Sequence, residues 1–282
     1  MKLSIKLIVL LVLMGTWVSN AADAGSLVGD VGKSLFCQED TEESNQTLDT
    51  EKKLGFTYDL TYHTKWMSKG YSVYGEQGAW MNTMLVDLWQ SGFGVAFRYD
   101  MASASGHVKR ERMDYTIFYG EDFFEDGICK TRCKISWTYR DYLREHDKKI
   151  NSHEFQASMC LPKVFGDTVF PKYVISYCTP AGSGYDIRGA AGWVHSMGLC
   201  YDLKIAALSN QKVVLDAMAT YNDGFGGKGH GWSHATMGAT TRWEINKNVS
   251  FVPGIYYQVS MNNMDIDLDD TLYAKFSFRY KF

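Results

Sequence analysis

Proline is scarce in this 282-residue chain, with four copies, and beyond the N-terminal segment no apolar run reaches the length of a membrane-spanning helix. The missing run excludes a bundle of membrane helices, which would need stretches of about 20 apolar residues. An excess of charge of one sign is also missing. The formal net charge is −3, so the overall balance gives no reason to expect a nucleic-acid partner. The glycine-rich stretch Asp223-Gly224-Phe225-Gly226-Gly227-Lys228-Gly229 lacks the GK[ST] ending and the strand-to-helix setting of a phosphate loop, which excludes a nucleotide site. After Cys129 and Cys133 no histidine or second cysteine pair follows at zinc-like spacing, so no metal is expected. No cofactor is implied. The residues that are abundant are 26 Gly, 18 Tyr, 15 Phe and 8 Trp, a composition that suits many strands with tight turns better than helices.

The N-terminus reads as an export signal. Lys2 and Lys6 form a basic start, Leu7 to Met14 an apolar stretch, and Ser19-Asn20-Ala21 or Ala22-Asp23-Ala24 a small-residue cleavage pattern. The expected division is a signal peptide over 1–21, with 24 as the later cleavage limit, an acidic tail over 22–53, and a strand-forming region over 54–282. The tail carries Glu39, Asp40, Glu42, Glu43, Asp49 and Glu51 among few large apolar groups. Such a run is ordinarily a solvated segment, here on the periplasmic side. Its entry into the interior as a plug is the alternative.

The region after residue 54 alternates in period two. At its end Leu272, Ala274, Phe276, Phe278, Tyr280 and Phe282 interleave with Thr271, Tyr273, Lys275, Ser277, Arg279 and Lys281. One face is apolar and the other charged. Phe93 to Met101, Met113 to Tyr119 and Cys129 to Arg140 repeat the pattern, the last placing Lys130, Arg132, Lys134 and Arg140 on one face. A lysine or arginine facing lipid at mid-membrane costs about 2 to 4 kcal/mol, so that face must line a wet interior. Further strands are expected near 54–67, 79–89, 152–161, 169–179, 191–203, 211–221, 231–244 and 249–260. The turns at Gln90-Ser91, Glu125-Asp126-Gly127 and Asn246-Lys247-Asn248 are short. The connections near 68–78, 103–111, 142–151, 180–190, 222–230 and 261–270 are longer and polar, as external loops are. The fold class predicted is all-β, a transmembrane antiparallel up-and-down barrel of about 12 strands, an even number that keeps both ends on one side.

The inward phase carries Lys65, Arg98, Arg112, Lys130, Arg132, Lys134, Arg140, Lys172, Lys212, Arg242, Lys275 and Arg279. Opposing them are Asp59, Asp87, Asp100, Asp114, Glu154, Asp202 and Asp216. A net basic lumen is expected to favour anions. Pairing of these groups into a closed polar plug is the competing expectation.

Other chemistry is thinner. His195 and Ser196 are sequence neighbours in a strand and point to opposite faces, as do Ser233 and His234, so neither pair is expected to form a nucleophile–base dyad. His230 and Ser233 remain as weak catalytic candidates beside the glycine-rich loop. Asp265, Asp267, Asp269 and Asp270 cluster in the last loop, where spaced aspartates bind cations loosely or stay hydrated. Of six cysteines, Cys129 and Cys133 share a strand face about 13 Å apart and cannot bond each other. Cys160, Cys178 and Cys200 fall on the inward phase of three successive strands, and a Cys178–Cys200 bridge is open.

The terminal strand, with Phe278, Tyr280 and Phe282 in phase, resembles the signature read by the barrel assembly machinery of bacterial outer membranes. Residues 54–282 together resemble porin-like outer-membrane barrels of about twelve strands, a size class shared by nucleoside channels, acidic-oligosaccharide porins, omptins and outer-membrane phospholipases. The resemblance is one of architecture, without a subfamily motif. It implies an integral outer-membrane protein of a Gram-negative bacterium, in contact with membrane lipid and lipopolysaccharide. The implied role is a small channel for polar or anionic solutes. A lipid-modifying enzyme and a closed structural or adhesive barrel acting through its loops are the alternatives.

Overall fold

The structure, a computed structural model, describes residues 54–125, 127–144, 150–166, 168–181, 191–204, 212–261 and 270–282. The signal segment, the acidic tail and Asp265, Asp267 and Asp269 lie outside the described residues. Twelve staves make the wall: β1 (Gly55–His63), β2 (Ala79–Asp87), β3 (Phe93–Ala102), β4 (Arg112–Phe123), β5 (Thr131–Tyr142), β6 (Ser152–Cys160), β7 (Val169–Pro180), β8 (Gly192–Lys204), β9 (Lys212–Asp223), β10 (His230–Thr241), β11 (Val249–Ser260) and β12 (Thr271–Lys281). Each pairs antiparallel with its neighbours in sequence, and β1 pairs with β12 from Thr57 opposite Lys281 to His63 opposite Lys275. The sheet therefore closes on itself as a twelve-stranded antiparallel up-and-down barrel and keeps no open edge.

Alternation decides what faces outward. Phe97, Tyr115, Ile117, Phe155, Leu199, Met237, Ile255 and Phe278 are exposed, while the residues between them, such as Arg98, Thr116, Glu154 and Arg279, are buried. The apolar exterior is continuous around the ring, far larger than the isolated patches that a water-soluble surface tolerates. Aromatic rings concentrate at its two ends. Toward the longer connections Trp193, His195, Tyr221 and Trp232 follow one another at 5.6 to 6.3 Å between ring centres. Toward the short turns Phe93 meets Tyr119 at 4.6 Å and Tyr280 meets Phe282 at 4.4 Å. Two aromatic girdles flanking an apolar band are the dress of a barrel set in lipid.

The expected strand set is recovered, with informative differences at its ends. β1 stops at His63 rather than 67 because the chain there turns into the barrel. Cys129 and Lys130 precede β5 and belong to the turn that closes on the Gly127 carbonyl.

Inside, bulky rings sit over cross-strand glycines. Gly238 on β10 lies opposite Tyr256 on β11, and a Cβ at Gly238 would overlap the Tyr256 ring. Covering a glycine with the neighbouring ring restores the apolar contact that the missing side chain forfeits. Gly238→Ala is expected to displace that ring and to cost about 1 to 3 kcal/mol as an overpacked site, read as a lower urea midpoint of the refolded barrel. An unchanged midpoint would show that Tyr256 swings clear freely.

Candidate functional site

The interior divides into two unlike halves. On β3 and β4, alternation sends Arg98, Asp100, Arg112 and Asp114 inward, and the register sets Arg98 opposite Asp114 and Asp100 opposite Arg112. A four-membered ion cluster results. Arg98 Nη2 lies 2.8 Å from Asp100 and 3.2 Å from Asp114, and Arg112 Nε lies 3.2 and 3.1 Å from the same two carboxylates. Both aspartates are 0 % exposed. Next along the wall Arg140 on β5 pairs with Glu154 on β6. Charges taken out of water in this way hold together only because each has a counter-charge within hydrogen-bonding reach.

The other sequence-predicted lumen residues are also largely matched. Arg279 donates to both carboxylate oxygens of Asp59 at 2.8 and 3.0 Å across the closing seam. Lys172 pairs with Asp216, Lys212 with Asp202, Lys130 and Arg132 with Asp122, Lys65 with Glu76, and Arg242 with Glu244. Lys134 lies 4.1 Å from the centre of the Phe118 ring, and Lys275 sits at the β12 position opposite Gly254. Asp122, Glu76 and Glu244, which were not counted as lumen acids from the sequence, are what bring these pairs close to charge balance.

The first long connection enters the barrel. Lys69 and Gly70, with φ of 52° and 90°, form the turn of a miniature hairpin whose arms are Met67–Ser68 and Tyr71–Ser72. Two successive positive-φ residues ending in glycine are the favoured two-residue hairpin turn. That dipeptide was the available sequence signal for a feature that loop length alone assigns to the exterior. The base of the hairpin is firmly set. Trp66 and Tyr74 are both 0 % exposed and lie 5.4 Å apart. The Trp66 ring is 4.7 Å from the Arg112 guanidinium and 5.5 Å from that of Arg98, so it lids the ion cluster through cation–π contact. Arg110 donates to the Val73 carbonyl at 2.6 Å.

The tip crosses to the far wall. Lys69 Nζ donates to Cys178 Sγ on β7 at 2.8 Å and stands 3.8 Å over the Phe225 ring. Gln258 on β11 donates to the Gly70 carbonyl at 2.9 Å. β7 lies six staves from β1 in either direction around the ring, so the hairpin spans the lumen on a diameter.

Beside the tip a narrow cavity remains, walled by β6 to β12. Its polar lining comes from Gln156, Ser176, Ser196, Thr220, Thr236 and Tyr273, with Val174, Val194 and Met218 between them. Among the described residues, Lys69 and His234 are its ionisable nitrogen groups, and no carboxylate or arginine lines it.

The histidine–serine expectations are partly overturned. The β9–β10 register shifts between Thr220 and Tyr221, which pair with His234 and Trp232 and leave Ser233 as the extra residue of a bulge. Ser233 and His234 therefore both turn inward, against the simple alternation of a strand. Ser233 Oγ lies 2.8 Å from His234 Nδ1 and donates to the Thr220 carbonyl at 3.1 Å. A serine hydroxyl has a single proton, so while it donates to that carbonyl it can only accept at His234 Nδ1. His230 is exposed and paired with Asp223, so the His230 and Ser233 candidates keep separate partners.

Cys200 is disulfide-bonded while Cys129, Cys133, Cys160 and Cys178 are thiols outside any disulfide. The Cys178–Cys200 bridge is thus not formed, and the partner of Cys200 lies outside the described residues. Denatured protein purified without reductant is expected to take up four maleimide-polyethylene glycol groups of the six possible after reduction. Six additions before reduction would remove the bridge.

No family model matches the chain, and comparison with curated proteins finds no relative. Among solved structures it is similar to the NanC porin, at 9 % identity over 80 % of this chain and 100 % of that one, with a TM-score of 0.49. It is similar also to the KdgM porin, at 8 % identity over 80 % and 99 % of the two chains, TM-score 0.48. An outer membrane channel from Pseudomonas putida F1 matches at 8 % identity over 84 % and 99 %, TM-score 0.46.

Proposed function

We propose that this chain is an integral outer-membrane barrel acting as a small, porin-like channel for polar or anionic solutes, with its first long connection as the constriction. The observation that carries the reading is the inversion of the usual protein: an exposed apolar belt outside and ion pairs, hydroxyls and amides within a closed ring. Such a wall is stable only with hydrocarbon outside, and its interior offers water and polar solutes a path that lipid denies them. The short turns then face the periplasm and the longer connections the exterior. The C-terminal Phe278, Tyr280 and Phe282 serve as the signal to the assembly machinery, and lipid and lipopolysaccharide touch the belt. Lumen-lining roles fall to the inward groups on β1 to β12 described above.

A closed barrel working through its outer loops is the second reading, and the diametric hairpin favours it. Planar-bilayer recording of the refolded mature protein separates the two. Discrete steps of small amplitude are expected; a folded, inserted and silent barrel would replace the channel with the closed form.

A further inference from the structure

The channel reading leaves open which solutes the constriction accepts. Resting on that reading, we infer that the hairpin tip and the β6–β12 wall form a site for small neutral polyhydroxylated solutes, of the glycerol-to-pentose class, rather than for anions.

Three observations carry this. First, the strongest charges at the level of the hairpin are hidden from anything passing it. Asp100 and Asp114 are wholly buried, and the Trp66 ring lies on the guanidinium groups that balance them. Second, the half left open presents hydroxyl and amide groups. Ser196 and Thr220 already share a hydrogen bond at 3.0 Å, as do Gln156 and Ser176, so these staves offer both donors and acceptors at a spacing that a polyol can enter. Apolar Val174, Val194 and Met218 lie between them, giving the mixture of carbon surface and hydroxyl partners that a sugar's own faces display. Third, no arginine among the described residues lines the cavity, and the planar fork of arginine is the usual means of binding a carboxylate in two-point fashion. The cation that does reach it, Lys69, has its ammonium on Cys178 Sγ and the Phe225 ring. An entering anion would have to displace those contacts for a single point charge, whereas a neutral polyol needs no counter-charge.

The test is uptake of radiolabelled glycerol, arabinose and glucuronate by proteoliposomes carrying the whole mature protein, beside conductance on the same preparation. Arabinose is expected to enter at least five-fold faster than glucuronate. Thr236→Val keeps the side-chain shape and removes one hydroxyl of the cavity lining, so it is expected to slow arabinose at least two-fold, and unchanged arabinose uptake in this variant would overturn the site. Conductance together with glucuronate uptake equal to or faster than arabinose would overturn this inference and leave the channel standing. Absence of both uptake and conductance would overturn both.

Discussion

Replacing Met67–Ser72 with two glycines is expected to raise single-channel conductance several-fold. The substitution keeps Trp66 and Val73, whose backbone groups bond at 2.9 Å, in the register of a two-residue turn. It removes the Lys69 contacts to Cys178 and Phe225 and the Gly70 carbonyl that accepts from Gln258. Nothing in the ion cluster or its tryptophan cover is touched, so the barrel is expected to fold as before. The gain arises because the removed residues occupy a diameter rather than the rim of the lumen. An unchanged conductance would place the narrowest point elsewhere, and a barrel silent both before and after would count for the closed form.

Asp100→Ala is expected to be the most damaging single change in the wall. Asp100 is fully buried and receives both Arg98 Nη2 and Arg112 Nε, so its loss leaves two buried guanidinium groups sharing the single carboxylate of Asp114. Breaking a buried pair from one side costs about 3 to 5 kcal/mol, since the partner keeps the cost of leaving water and loses its compensation. Urea unfolding in lipid, followed by tryptophan fluorescence, should show a midpoint displaced accordingly. Glu76→Ala is the control: it ends the Lys65 pair, but the Glu76 side chain is 79 % exposed, and an exposed pair contributes about 0 to 1 kcal/mol. Equal effects for the two variants would mean that water reaches the cluster and screens it.

The barrel itself was legible because its rule is local. Each side chain's face follows from parity, and lipid outside with water inside makes the two parities chemically opposite, as at Phe278 against Arg279. Parity also put Arg98, Asp100, Arg112 and Asp114 on one face. Their assembly into a square needed the β3–β4 register, which depends on how the chain turns between the two strands, so the sequence left a basic lumen and a paired one both open. Ser233 and His234 went astray for a matching reason. One extra residue in β10 inverts the parity downstream, and a bulge carries no signature in residue type at that site. The hairpin at Lys69 was missed on different grounds. A polar connection of that length is ordinarily outside, and its inward course is fixed by Trp66 and the guanidinium groups beneath it, partners that lie on β3 and β4 and have no sequence proximity to it.

The ion pair at the seam has a consequence for how quickly this wall can be built. All staves but one pair are joined to the next in sequence, by contacts whose loops are short to close. Asp59 and Arg279 are 220 residues apart, and they must find each other across a nearly complete sheet whose two edges are still unsatisfied. The entropy lost in joining so distant a pair is met before the contact returns anything. Weakening this bidentate pair, for example with Asp59→Asn, therefore acts first on the lifetime of an open, edge-exposed sheet, the species able to pair with a second copy of itself. Its mark would be a larger aggregated fraction during refolding, beside the loss of final stability that breaking a buried pair from one side brings.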